Sequence, residues 1–470
     1  MTKLGNLQVG ADGPRLSDGT LIRDLFDHDK REVSLRVHHD QEIFDLEMER
    51  IFAHSWLPVA HESEIPQAGD YVRRFAGQDS CLIVRNEDDS ISALLNACSH
   101  RGMPLCRDEK GRSQTFKCPY HGWAFNKRGK FVGAPFEKEM YGNTLREAGD
   151  DIALRKAQTA MLGGMIFINW DLEAEPFESY LGEAGWYLRA ALERTDKGLE
   201  VVGPPQRHIM RANWKLLAEQ LADGYHTRGL HQSAGEMGAL GHNSHDPASW
   251  GLIGINVSTV QGHTMRCIDA KSTYSFAGMD GDAPVADKLA AIPPPGTDSA
   301  LTREFPGNLS EGQMKMLAET PPMIMGLFPG ADFFTFMGVG GSDDGGFGPN
   351  MVARAWIPRG PDMFEMLSWI MVERGASDEL REQTRLTSVR NFGISGFIEQ
   401  DDAEAWQGIQ RTVKGPVARQ MTAKYQARLG PTKPDGFEGG GDVYAGFSRD
   451  DAQWAWWRRY AEVMGGGNEG

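Results

Sequence analysis

The chain has 470 residues, 40% of them hydrophobic and 24% charged, enough for about two or three domains and a core that needs no disulfide staples. Lys+Arg total 49 against 65 Asp+Glu, a formal net charge of −16, which argues against a nucleic-acid or anionic-membrane partner. No stretch reaches the ~18 apolar residues of a transmembrane helix, and MTKLGNLQVGADGPRLSDG lacks the apolar core of a signal peptide, so a cytoplasmic protein is expected.

Residues 1–20 are polar and Gly-rich and read as a loose arm. Across 20–55 the residues Ile43, Phe44, Leu46, Ile51 and Phe52 fall at helical spacing on one apolar stripe. From about 55 to 170 short β-rich runs (YVRRF, SCLIVRN, SISALLN, FKCPYHGWAF, GMIFINW) alternate with turn residues, the texture of a small antiparallel β domain. Helical texture returns at 175–235 and 376–428, with the strands MVARAWIPRG and MFEMLSWIMVE between them. The stretch 281–312, carrying Pro293, Pro294 and Pro295, reads as a long loop or insertion and a candidate lid. The Gly-rich run from Gly338 to Gly348 lacks the Lys-Ser/Thr of a phosphate loop and reads as a hairpin turn. The class is α+β, with the β domain (55–172) inserted in a helix-and-sheet domain (1–54 and 173–470).

The five cysteines, Cys81, Cys98, Cys106, Cys118 and Cys267, are odd in number and the chain is long, which fits reduced thiols better than a disulfide framework. Two of them stand beside histidines: Cys98-Ser99-His100, then 17 residues, then Cys118-Pro119-Tyr120-His121. A Cys2His2 zinc site usually pairs Cys with Cys and His with His. Here each loop offers one thiolate and one imidazole, which suits a [2Fe–2S] cluster with two cysteines on one iron and two histidines on the other. Gly102 and Gly122 permit tight turns, Pro104 and Pro119 stiffen them, and Trp123 is placed to cover the cluster. Cys81, Cys106 and Cys267 read as small core residues. CSHRGMPLC (98–106) and CPYHGW (118–123) resemble the two loops of a Rieske iron–sulfur domain. Such a domain also occurs in pure electron carriers.

A second constellation lies in NWKLLAEQLADGYHTRGLH (213–231). His226 and His231 are five apart, which on an ideal helix leaves them ~140° apart around the axis. They reach one metal only if the helix is distorted or ends between them, and Gly224 and Gly229 permit either. Asp223, three residues before His226, is a candidate hydrogen-bond partner for it. Taken alone, a pair of histidines this far apart is more often structural. Far downstream, FIEQDDAEAW (397–406) offers carboxylates; it reads either as an acidic helix start or as the third member of a two-histidine, one-carboxylate iron site.

Together these segments, from about residue 35 to 465, resemble the large (α) subunit of Rieske non-haem iron aromatic ring-hydroxylating dioxygenases. The resemblance implies a helix-grip-like catalytic domain with a central antiparallel sheet covered by helices. It implies Cys98, His100, Cys118 and His121 as ligands of a Rieske [2Fe–2S] cluster. His226, His231 and Asp402, rather than Asp401, are the implied ligands of a mononuclear Fe(2+), with Asp223 bridging to a Rieske histidine of a neighbouring subunit. Two residues separate Gln220 from Asp223 where some naphthalene- and biphenyl-type members have one more, which leaves the roles of Glu219 and Gln220 open. Implied partners are a ferredoxin or reductase as electron donor, O2, a small aromatic substrate and further subunits, as α3 or as α3β3 with a small β subunit. No nicotinamide or flavin motif is visible, in keeping with electrons arriving from another protein. Phe392, Ile398 and Thr227 stand at positions that line the substrate pocket in the family, although Phe392 and Ile398 would also suit an ordinary core. Arg228 is a candidate either for a substrate carboxylate or for a surface ion pair. An aromatic hydrocarbon is the expected substrate, oxidised to a cis-dihydrodiol, with an aromatic acid such as phthalate, or monooxygenation, as alternatives.

Overall fold

The computed structural model describes residues 13–233, 254–270, 274, 278–340, 346–427, 430–446 and 449–465. The chain divides into two compact units, one comprising Met48–Phe177 and the other Glu178–Gly470 with the N-terminal stretch ending at Glu47.

The first unit is built from antiparallel strands. Ile91–Leu95, Asp79–Arg85, Asp70–Ala76 and Lys110–Arg112 lie side by side in that order. Phe131–Gly133, Ala124–Asn126 and Thr115–Lys117 form a second sheet. Gln158–Leu162, Met165–Asn169 and Leu57–His61 form a third. Alternate residues Leu82 and Val84 point into one core with Tyr71, Phe116, Trp123 and Phe125, and Cys98 and Cys118 belong to the same core. Burying each large apolar side chain contributes about 1.5–3 kcal/mol, and the two cysteine loops are rooted in this core. Cys81 is fully buried, whereas Cys106 is only half-buried, with its Sγ 3.3 Å from the Tyr71 hydroxyl. The sequence reading of Cys106 as a core residue is corrected accordingly. It stands where a loop turns outward: the backbone N–H groups of Leu105 and Cys106 both donate to Asn96 Oδ1.

The second unit is organised on a large antiparallel sheet. Its strands are β1 (Leu199–Val201), β2 (Gln206–Met210), β3 (Ile255–Ser258), β4 (Thr264–Cys267), β5 (Pro322–Leu327), β6 (Ala331–Val339), β7 (Phe347–Gly360), β8 (Met363–Glu373) and β9 (Asp442–Ala445). They run in the order β1–β8–β7–β6–β5–β4–β3–β9, with β2 also paired to β8. The helices used below are α1 (Gln41–Glu47), α2 (Trp214–Gln220), α3 (His226–Leu230), α4 (Asp378–Phe392), α5 (Glu399–Val413) and α6 (Asp451–Gly465). β1 and β2 interrupt the stretch 175–235, where the sequence pattern shows helical texture; three- and five-residue strands carry too little periodicity to stand out. β6 and β7 pair from Ala331↔Ala355 to Val339↔Phe347, so the Gly-rich run joins two antiparallel strands, and residues 341–345 lie outside the described residues.

Two other expectations change. Residues 1–12 lie outside the described residues, but Leu16 is buried and Arg15 bridges to Leu21, so the later part of the expected arm is packed. The stretch 281–312 is not an open loop. It holds the helix Val285–Ala291, buries Leu289 and Phe305, and is tied to the end of β8 by Glu373 N–H donating to Gly296 O. Gly296 has φ +77° and a Cβ there would meet Met351 Sδ at 2.6 Å, so this approach requires glycine.

A buried polar knot ties α1, α2 and α6 together. Glu47 is fully buried and accepts hydrogen bonds from Trp214 Nε1 (2.7 Å), Lys215 Nζ and the Tyr460 hydroxyl. Lys215 is equally buried, and that burial pulls its ammonium below the ordinary lysine range against the attraction of Glu47. Removing one partner of such a pair strands the other charge, at about 3–5 kcal/mol. Lys215→Met is therefore expected to destabilise this unit by about that amount, read as an earlier urea transition in tryptophan fluorescence.

Candidate metal centres

The two loops of the first unit have the same backbone plan. Cys98 N–H donates to Met103 O and Gly102 N–H to Cys98 O; Cys118 N–H donates to Trp123 O and Gly122 N–H to Cys118 O. Both glycines are left-handed, at φ +73° and +75°, and a Cβ on Gly122 would lie 2.7 Å from Pro135. Each loop therefore presents a thiol at its base and an imidazole at its turn. The Cys98 and Cys118 thiols are hydrogen-bonding neighbours; burial first, and then the second sulfur, push the Cys98 thiol up. The rings of His100 and His121 are 4.7 Å apart. His100 Nδ1 is buried with no hydrogen-bond partner. Burial, His121 and Arg101 all hold His100 below the usual imidazole range, which favours the neutral ring that metals bind. Trp123 is buried and stacks on His100 at 4.6 Å with the planes 7° apart. Two converging thiols and two converging imidazoles, one of them orphaned, fit a Rieske cluster.

In the second unit the segment 213–231 is two helices, not one. Asn213 caps α2 by accepting from Lys215 N–H, and the helix stops at Gln220. Asp223 then caps α3, its Oδ1 accepting from Tyr225 N–H (2.7 Å) and His226 N–H (3.3 Å). His226 opens α3 and His231 follows its last residue, with φ −99° and ψ 29°. Because the chain leaves the helix at His231, the ~140° separation of an ideal helix no longer applies, and the two rings lie 5.3 Å apart.

Asp402, on the first turn of α5, completes the group: one ligand atom each from His226, His231 and Asp402 lies within 4.8 Å of the others. Asp402 Oδ1 is 3.8 Å from His226 Nε2 and 3.3 Å from His231 Nε2. The opposite ring nitrogens face two other carboxylates. His226 Nδ1 is 3.2 Å from Asp223 Oδ2, at an angle poor for a hydrogen bond, and His231 Nδ1 is 3.2 Å from Asp401 Oδ2. This carboxylate–imidazole pairing turns both Nε2 atoms toward one point. Asp401 thus sits on the far side of His231 from the convergence point.

Burial would raise the Asp402 carboxyl, but hydrogen bonding to His231, the nearby imidazoles and Gln220 hold it below the usual range. Burial would likewise raise Asp223, and His226 with Arg266 outweighs it. His231 moves up: burial lowers it, and Asp402 and Asp401 more than compensate. Behind the ligands lies a second tier. Arg266 donates to Asp223 O at 2.8 Å, and Arg354 joins Asp332 (2.7 Å) to Glu399 (2.9 Å). Burial first, opposed by Arg354 and reinforced by Asp402, pushes Glu399 up to about 7. Glu219, half-buried and hydrogen-bonded to Gln453, is pushed up to about 8 by desolvation and by Asp223. Sequence reasoning missed Arg266, Arg354 and Asp332, because nothing local marks a strand residue as facing a site built from distant helices.

Phe392 is buried at the end of α4, stacked on Phe334 at 4.9 Å with the planes 7° apart and edge-on to Phe336 at 5.6 Å. Ile398 is buried just before α5, and Thr227 is half-buried beside His226. The side chain of Arg228 lies outside those described.

Comparison with known proteins agrees with this geometry. Residues 55–148 match the Rieske [2Fe-2S] domain model. The chain is 32% identical to the biphenyl dioxygenase subunit alpha of Metapseudomonas furukawaii, over 94% of this chain and 93% of that one. It is 30% identical to the N,N-dimethyl phenylurea N-demethylase subunit alpha of Sphingobium sp. (strain YBL2), over 96% of each. Naphthalene 1,2-dioxygenase from Rhodococcus sp., solved with indole bound, superposes with a TM-score of 0.82 at 34% identity, over 93% of this chain and 95% of that one. Among the described residues no helix is long and apolar enough to cross a membrane. The chain belongs to the Rieske non-haem iron ring-hydroxylating dioxygenase family, as a large (α) subunit.

Proposed function

We propose that this chain is the terminal oxygenase subunit of a multicomponent cytoplasmic system that dihydroxylates an uncharged aromatic ring to a cis-dihydrodiol. The observation that carries the reading is the convergence of His226 Nε2, His231 Nε2 and an Asp402 oxygen in a unit whose partner unit holds the Cys/His loops. In this reading residues 55–172 form the Rieske domain and 1–54 with 173–470 the catalytic domain. Cys98, His100, Cys118 and His121 hold the cluster, and His226, His231 and Asp402 the mononuclear iron. When bound, the cluster supplies single electrons, and a two-histidine, one-carboxylate iron leaves open positions for O2 chemistry.

The protein's own part is placement. Asp223 would bridge the electron path to His226, whose Nδ1 it faces, and Asp401 orients the His231 ring through Nδ1. In this reading Phe392, Ile398 and Thr227 line the pocket, and the packing of Phe392 with Phe334 and Phe336 supports a flat apolar ring as the substrate. Arg354 is already committed to Asp332 and Glu399 and is not free to hold a substrate carboxylate. Electrons come from a ferredoxin or reductase, and the subunits assemble as α3 or, with a small β subunit, α3β3. The relative named as an N-demethylase favours a second reading, oxidative demethylation of an N-methyl arene.

The test is metal content together with a substrate panel. Purified protein should carry about three irons per chain and the EPR signal of a reduced Rieske centre. With a surrogate donor it should turn biphenyl or naphthalene into a cis-diol. Turnover of carboxylated arenes alone would overturn the substrate class, demethylated product alone would select the second reading, and a colourless zinc protein would overturn the whole assignment.

A further inference from the structure

Gln220 ends α2 with its side chain among the three ligand residues. Its Nε2 lies 2.5 Å from Asp402 Oδ1 and 3.3 Å from His226 Nε2, and its Oε1 accepts from Trp406 Nε1. An indole N–H is a donor and nothing else, so the amide atom facing Trp406 has to be the carbonyl oxygen. On the other side the nearest atom is a carboxylate oxygen of Asp402, an acceptor, so the amide atom facing it has to be NH2. Trp406 is buried and four residues after Asp402 on α5, hence on the same helix face. The amide is locked from both ends.

The consequence lies in what each end of an amide does near a metal. A carbonyl oxygen is a hard ligand for a divalent cation, whereas an amide NH2 has no available lone pair. We infer that Trp406 is a positioning residue that keeps the Gln220 carbonyl turned away from the iron, so that Gln220 steadies Asp402 by hydrogen bonding and does not occupy a coordination position. Loss of the indole N–H frees the amide to rotate and present oxygen to the metal. The inference rests on the reading of His226, His231 and Asp402 as iron ligands.

Nitric oxide, which binds ferrous iron only where a position is open, is the probe. The full-length protein, iron-loaded and with its cluster oxidised and therefore EPR-silent, is titrated with nitric oxide and the high-spin nitrosyl EPR signal followed. Trp406→Phe should need more nitric oxide for half-maximal signal and should release iron to a chelator more slowly. Trp406→Phe combined with Gln220→Leu, which has no carbonyl to present, should need less nitric oxide for half-maximal signal than Trp406→Phe alone. Gln220→Glu, with Trp406 intact, should weaken nitric oxide binding as Trp406→Phe does, because its second oxygen faces the iron. That variant decides the matter if Trp406→Phe fails to retain iron. Parental titration curves in Trp406→Phe, or in Gln220→Glu where that variant has to decide, would overturn the inference. Absence of any nitrosyl signal in the unmodified protein would instead overturn the ligand assignment beneath it.

Discussion

His226→Ala is expected to drop the iron content from about three to about two per chain, leave the Rieske EPR signal in place and abolish turnover. The two centres are built independently. The cysteine loops rest on the core around Phe116 and Phe125, whose members among the described residues all lie in the first unit, whereas α3 lies in the second. His226, by contrast, is one of the three residues whose potential ligand atoms converge among the described residues, and the adjacent carboxylates Asp223 and Asp401 face the rings from the opposite side, so neither takes the place of its Nε2. Iron quantification and EPR on the same sample check it. Retention of the third iron would move the ligand assignment elsewhere.

Asp223→Ala should give the complementary phenotype: both centres filled, steady-state turnover down by about 100-fold, and a chemically reduced cluster that stays reduced when O2 and substrate are added. Asp223 touches the site through two different oxygens. Oδ1 caps α3 through Tyr225 and His226 N–H, and Oδ2 faces His226 Nδ1. Alanine removes both, so Asp223→Asn is the informative companion: it keeps an acceptor for the cap and places a neutral amide against the ring. If electron transfer is the role, Asp223→Asn is slow as well, although α3 and the iron are intact. Stopped-flow reoxidation of the cluster separates the outcomes. Normal reoxidation in Asp223→Asn with slow reoxidation in Asp223→Ala would reduce Asp223 to a helix cap.

The cluster loops were the most legible part of this chain. Cys98, His100, Cys118 and His121 fall in two runs of three and four residues, and the glycines that close each turn, Gly102 and Gly122, stand beside them. A turn closed by bonds between residues four and five apart is a local object, so local sequence is sufficient to describe it. The strand texture around it was legible for the same reason, because alternation of Leu82 and Val84 is a two-residue signal.

The mononuclear site was legible only in its membership. Which way its parts face depends on groups up to about 180 residues apart, such as Gln220 and Asp402. Spacing alone left His226 and His231 on different sides of a helix; the chain's exit from α3 at His231 decided otherwise. Spacing alone could not separate Asp401 from Asp402 either. Adjacent helix residues differ by ~100° in direction, so only the packing of α5 against α2 and α3 turns Asp402 toward both Nε2 atoms and Asp401 to the far side of His231. The sequence by itself determined the chemistry available: two thiols, four imidazoles and a pair of carboxylates in an acidic, membrane-helix-free composition. Only the tertiary structure decided the directions, down to which end of the Gln220 amide meets the iron site, because direction follows from helix termini and long-range hydrogen bonds that no short window of sequence contains.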